Sequence, residues 1–238
     1  MNEQNALPES FHSSMGRGEA AAVLLYLPVH IWLLPTLLFS LPQTAGLSPA
    51  TLNLIAYAAA FLYMLLAAGR FLRRDFDPLW EHPFYCALQV VLAYGMMLAF
   101  NMILSSLLIL ILPSENPNNA AVMDMAGLEY GKTAAMAVFL APVSEELIFR
   151  GAVFGSLRRF SRPLAYAVSM LLFSLYHVWG FALEDPVNWL YLLQYLPVSW
   201  LLCRCYERCD SIWGSIFFHM LINSVSLRAL MALSEYLV

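Results

Sequence analysis

The sequence predicts an all-α fold, a polytopic transmembrane helix bundle of about seven to eight spans. Three observations predict it. Of the 238 residues, 61% are hydrophobic and only 12% charged, against ~45–50% apolar and ~25% charged in an ordinary soluble domain. The apolar residues fall in blocks of about 18 or more, the length that crosses hydrocarbon. The few basic residues gather at the ends of those blocks, as they do around membrane spans. A large greasy soluble core is the disfavoured alternative. The net charge of −4 gives no sign of a nucleic-acid partner.

Taken in order, residues 1–19 are polar, carry Pro8, Gly16 and Gly18, and read as a flexible N-terminal segment. No cleavable leader is visible, so the first apolar run reads as a retained helix. Residues 20–238 read as one transmembrane domain. Its apolar stretches lie at roughly 20–41, 50–69, 84–112, 133–157, 163–181, 187–205 and 211–237. Each crosses about 30 Å at ~1.5 Å per residue. The third and fourth are overlong, and a short or re-entrant eighth helix is expected near 113–132. Cys203, Cys205 and Cys209 crowd "LLCRCYERCD", with Cys86 far away. That is neither a disulfide framework nor a zinc spacing, and ordinary thiols at a helix end are expected.

Arg17, Arg70, Arg73, Arg74, Arg158, Arg159, Arg162, Arg204 and Arg208 fall on one side of this threading, and Lys132 on the other. Cytoplasmic loops collect Lys and Arg. An integral membrane protein with a cytoplasmic N-terminus is therefore expected, most simply in a bacterial inner membrane. Arg150 and Arg228 remain, both within apolar stretches.

The informative residues are those that should not be in a membrane. In "APVSEELIFRG", Glu145, Glu146 and Arg150 interrupt the fourth stretch. Each costs roughly 2.5–3.5 kcal/mol at a span centre. Glu146 and Arg150 are four apart and on one helix face, so they can pair. Glu145 points about 100° away and is left without that partner. His177 lies in the fifth stretch, one turn after Phe173; His219 and Asn223 share a face of the seventh. Counted from the expected cytoplasmic ends at ~1.5 Å per residue, Glu145 is ~18 Å deep, His177 ~21 Å, His219 ~12 Å and Asn223 ~18 Å. The set Glu145, His177, His219 and Asn223 is therefore read as a shared catalytic site, with Glu146, Arg150 and Phe173 supporting it. Taken singly, each histidine or Asn223 is equally a helix–helix hydrogen-bonding group. His12, His30 and His82 have no comparable company. Asn53, Gln89 and Asn101 read as packing residues.

In order and spacing, these motifs resemble the CAAX protease and bacteriocin-processing (Abi) family of intramembrane endopeptidases. That family shows E-E-x-x-x-R, F-x-x-x-H and H-x-x-x-N. Here they are Glu145-Glu146 to Arg150 (with Gly151 completing "FRG"), Phe173 to His177, and His219 to Asn223. The resemblance covers about 80 residues, within a motif core at 133–237; the N-terminal half adds only hydrophobicity. It implies hydrolysis of a peptide bond in a membrane-associated protein or peptide, lipidated or CAAX-like. Glu145 would be the general base, with His177 helping it to activate water, and His219 and Asn223 would stabilise the oxyanion. The partners implied are that substrate and the lipid bilayer.

No cofactor is implied. Zinc on Glu145, His177 and His219 is the disfavoured alternative, since H-E-x-x-H is missing. A proton-coupled transporter is a second reading, because buried Glu and His also mark ion pathways. It lacks the inverted repeat and broken helices that such folds show. A non-catalytic immunity or scaffold membrane protein is a third, opposed by the full motif set.

Overall fold

The computed structural model describes residues 11–112 and 115–236, with side chains as far as Ala232. The described residues fold as an all-α bundle without strands. The first span is α1 (Arg17–Pro28), a π-helical turn (Val29–Leu33) and α2 (Leu34–Ser40). Then come α3 (Pro49–Arg74), α4 (Asp77–Glu81), α5 (Pro83–Ile111) and α6 (Pro117–Ala134). The fourth apolar stretch threads a π segment (Ala135–Leu140), α7 (Ala141–Glu146), a second π segment (Leu147–Phe154) and α8 (Gly155–Arg158). It is followed by α9 (Arg162–Glu184), α10 (Leu192–Cys209) and α11 (Ile212–Tyr236).

Several entries repeat one local device. Ser48, Asn116 and Ser161 each accept a backbone N–H from the first turn of the helix that follows, and a proline sits at its start. The cap satisfies an N–H that the helix leaves unpaired, and proline has no N–H to lose there.

Among the described residues, five helical stretches are long and apolar enough to cross a membrane: Arg17–Ser40, Pro49–Glu81, Pro83–Ile111, Arg162–Glu184 and Ile212–Ala232. The fourth and sixth of the seven apolar stretches fall outside this set, which rests on length and composition alone. The fourth stretch carries Glu145, Glu146 and Arg150, and every residue from Ala141 to Gly155 is buried, so its neighbours are protein rather than lipid. The sixth starts as a 3₁₀ turn (Pro186–Tyr191), and α10 carries Pro197, Arg204, Glu207 and Arg208. The extra helix expected near 113–132 is α6. It runs into the fourth stretch through a kink at Glu129 (φ −143°, ψ 64°).

The buried fourth stretch is the axle of the fold. It packs against α1, α3, α9, α10 and α11. One apolar core joins the halves, with Tyr26, Met64 and Phe71 packed with Leu147, Phe154 and Ile216.

The two ends of the bundle differ. At one, Arg158 and Arg162 bind Glu207 at 2.7 and 2.8 Å. There Phe11–Gly16 is packed rather than loose: Ser13 Oγ donates to Asp75 at 2.6 Å, and the His12 and Ser13 amides donate to Asp210 at 2.7 and 2.8 Å. The expected flexible segment 1–19 thus begins α1 at Arg17, and residues 1–10 lie outside the described residues. At the other end, Lys132 pairs with Glu129 and donates to Thr51 at 2.7 Å.

Candidate active site

Three helices bring ionisable side chains to one place. Glu145 lies in the last turn of α7, His177 in α9 and His219 in α11. His177 Nε2 is 3.7 Å from Glu145 Oε2, and His219 Nε2 is 3.9 Å from the same oxygen. Glu145 is 3% exposed and His219 4%, so both are cut off from bulk solvent by protein.

The two adjacent glutamates are held differently, as their 100° separation requires. Glu146 Oε1 accepts Arg150 Nη1 at 3.1 Å and His219 Nδ1 at 2.9 Å. Arg150 is completely buried and also donates to the Ser199 hydroxyl and carbonyl at 2.8 and 3.2 Å. Its guanidinium lies 4.2 Å from the Phe173 ring centre, within cation–π range. Phe173 in turn touches both histidine rings, at 4.4 Å from His177 and 5.8 Å from His219. Glu146, Arg150, Ser199 and Phe173 therefore form one rigid support.

Hydrogen-bond chemistry assigns the ring protons. His177 Nδ1 is 2.9 Å from the Phe173 carbonyl oxygen. A carbonyl only accepts, so Nδ1 carries the proton and Nε2 presents its lone pair to Glu145 in the neutral ring. His219 Nδ1 likewise donates to the Glu146 carboxylate. For His219 Nε2 to donate as well, the ring must carry both protons; with Arg150 that makes two cations, which Glu145 and Glu146 together compensate.

Two cavities meet here. One of about 360 Å³ is bordered by Phe173, His177, His219 and Asn223 on one side and by the amides of Asn116 and Gln194 on the other. The second, of about 290 Å³, is bordered by Glu145, His177, Asn223 and Trp179. Asn223 sits on the wall shared by both, one turn beyond His219, and its amide donates to the Ala137 carbonyl at 2.8 Å. One of its two N–H groups is thus committed to backbone, and the second remains for a ligand.

Other site residues escaped the sequence reading. Tyr57 of α3 donates to Glu145 Oε1 at 3.3 Å and meets Tyr176 at 2.8 Å. Tyr195 of α10 stacks on His177 at 4.7 Å. His30, set aside for want of polar company, is buried with its Nε2 3.0 Å from the Tyr176 hydroxyl. Asn101, taken as a packing residue, borders the larger cavity. The available signal for His30 was Pro28 in the same span, which precedes the π turn that carries it. Tyrosines and Ser199 gave no signal, being unexceptional in apolar helices.

Among the described residues, no group of three His, Cys, Asp or Glu side chains is arranged to hold a metal ion. Cys86, Cys203, Cys205 and Cys209 are free, buried thiols.

Comparison with known proteins falls on the same segment. The family model for type II CAAX prenyl endopeptidase Rce1-like proteins matches residues 130–225. UPF0177 protein YxdF of Lactococcus lactis subsp. lactis (strain IL1403) is 34% identical over 84 residues, 35% of this chain and 42% of that relative. The chain thus spans less than half the length of this curated relative. No solved structure matches the chain significantly. The matched segment runs from the end of α6 to Val225 in α11 and contains all three motifs, so over residues 130–225 this chain is similar to the Rce1-like type II CAAX prenyl endopeptidases.

Proposed function

We propose that this protein is an intramembrane endopeptidase. Its substrate is a membrane-associated protein or peptide, lipidated or CAAX-like, and its nucleophile is a water activated by Glu145 and His177. The observation that carries the reading is the pair of acceptors, Glu145 Oε2 and His177 Nε2, facing each other across 3.7 Å. Both need a proton donor between them. One water, with two hydrogen bonds of ~2.8 Å, satisfies both and aims its oxygen lone pair at the cavity.

In this reading the water gives a proton to Glu145 as its oxygen bonds the scissile carbonyl carbon. The carbonyl π electrons move to oxygen, and the oxyanion takes hydrogen bonds from doubly protonated His219 and from the second N–H of Asn223. Such donors are worth ~3–4 kcal/mol each where one has been removed. Glu145 then returns its proton to the leaving amide nitrogen as the C–N bond breaks. Arg150, Ser199 and Phe173 do no chemistry. They hold Glu146, and through it the His219 ring.

The amide-lined larger cavity suits an extended peptide, because no Asp, Glu, Lys or Arg side chain is among its described lining residues. We place the basic end, with Arg158, Arg159 and Arg162, on the cytoplasmic side of a bacterial inner membrane, following the excess of Arg there. A metal-free reaction is part of the proposal. Reconstitution with a farnesylated CAAX-type reporter peptide tests it: cleavage should survive a chelator and be lost in Glu145→Ala and His177→Ala. Chelator-sensitive cleavage restored by zinc would overturn the metal-free mechanism. Proton flux without peptide products would overturn the protease.

A further inference from the structure

The chain outside residues 130–225 also reaches the site. His30 Nε2, the Tyr176 hydroxyl, the Tyr57 hydroxyl and Glu145 Oε1 follow one another at 3.0, 2.8 and 3.3 Å. Ionised Glu145 only accepts, so Tyr57 donates to it. The Tyr57 oxygen then accepts from Tyr176, and the Tyr176 oxygen accepts from His30 Nε2–H. All donors point the same way, and a chain of one polarity strengthens each of its bonds. At the far end His30 Nδ1 is buried and accepts no hydrogen bond from a described residue, and in the neutral ring this direction requires it carries no proton.

Packing fixes the chain. The His30 ring lies edge-on to Tyr57 at 5.1 Å and is stacked on Tyr26 and Tyr176, both at 6.0 Å. Tyr176 is also wedged against Phe149 at 5.5 Å. His30 is turned inward by the π-helical turn after Pro28; such turns recur at functional sites. All four members come from different elements: the first span, α3, α7 and α9.

We infer that Tyr57, backed by Tyr176 and His30, is the positioning residue that fixes the Glu145 carboxylate. Tyr57 occupies Oε1, which leaves Oε2 as the oxygen facing both histidines. Without it the carboxylate can rotate about its last torsion, and Oε2 leaves the two Nε2 atoms. The inference rests on Glu145 as the base, and it gives the N-terminal half of the chain a role in the site.

The test is kinetic and spectroscopic, in proteoliposomes with the farnesylated reporter. Tyr57→Phe keeps the ring and removes the donor. It should lower kcat about ten-fold, leave KM within about two-fold, and lower the unfolding midpoint only modestly, because one buried donor is lost. Tyr176→Phe, one bond further out, should lower kcat about three-fold. His30→Leu should do the same, and His30→Gln, which keeps an N–H donor, should recover part of that loss. Isotope-edited infrared spectra, with Glu145→Gln subtracted to isolate the Glu145 carboxylate bands, should show those bands shift in Tyr57→Phe. Wild-type kcat with unshifted bands would overturn the positioning role even where Glu145→Gln is inactive. Full cleavage by Glu145→Gln would instead overturn the assignment of the base. In that case the infrared shift alone decides whether Tyr57 holds the carboxylate.

Discussion

His219 grips Glu146 through Nδ1 at 2.9 Å while its Nε2 stands 3.9 Å from Glu145. One ring therefore touches both glutamates of the pair, and its two nitrogens have different duties. Removing the ring in His219→Ala should lower kcat by about 100- to 1,000-fold, the usual cost of one oxyanion donor. It should also cost about 1.5–3 kcal/mol of stability, because a hydrogen bond to a charged group is lost. Steady-state kinetics and denaturant titration check the two effects separately. An effect on stability alone would make His219 purely structural.

The Glu146–Arg150 pair is fully buried. Breaking it from one side leaves an unpaired charge inside the bundle, at about 3–5 kcal/mol. Arg150→Met should therefore fail to accumulate or should unfold well below the wild type. The double variant Arg150→Met/Glu146→Gln removes both charges and should recover much of the loss. Equal instability in single and double variants would show that Arg150 matters for its volume and its Ser199 bonds rather than for Glu146.

Gly214 is required by close approach rather than by backbone conformation. A Cβ there would lie 2.6 Å from Cys209 Sγ and 2.7 Å from Cys209 Cβ. Both atoms belong to a short buried side chain that has nowhere to go. Gly214→Ala should cost about 1–3 kcal/mol, the range for overpacking. At Gly151 the obstacle is the end of the flexible Met15 side chain, so Gly151→Ala should cost less. Thermal unfolding of the two variants in one detergent gives the comparison.

Glu207 is in the last turn of α10, past the apolar stretch, and binds Arg158, Arg162 and Tyr166. Burial raises its carboxyl, but the hydrogen bonds from Arg162, Arg158 and Tyr166 outweigh burial and hold it below its ordinary value. The folded state thus favours the ionised form. The resulting stability is complete above the ordinary glutamate range, near pH ~4.3, and is lost as pH falls further, through the lowered value. Glu207→Gln should flatten the acid limb of the unfolding midpoint against pH. An unchanged acid limb would mean that Glu207 contributes nothing there.

The bundle and its polar centre were legible for different reasons. Long apolar blocks announce helices at low resolution. Charge inside such a block is costly enough to mark Glu145, Glu146 and Arg150 without any partner in view. The i,i+4 spacing identified Glu146 rather than Glu145 as the partner of Arg150, and the structure has that pair at 3.1 Å. What was not legible depends on lateral packing. His30 lies well over a hundred residues from Tyr176, and no periodicity links them. Hydropathy marks the fourth stretch as apolar but not that it is enclosed by protein on every side. The packed segment at Phe11–Gly16 escaped because its partners, Asp75 and Asp210, are remote in sequence.

The most direct measurement is cleavage of the farnesylated reporter by purified, reconstituted protein carrying Glu145→Gln, a change that keeps the side chain's size and shape but replaces one accepting oxygen with an NH2 and removes the base. The account predicts a loss of about 100- to 10,000-fold in kcat, with substrate still bound and the bundle as stable as the wild type. Turnover at the wild-type rate would contradict it.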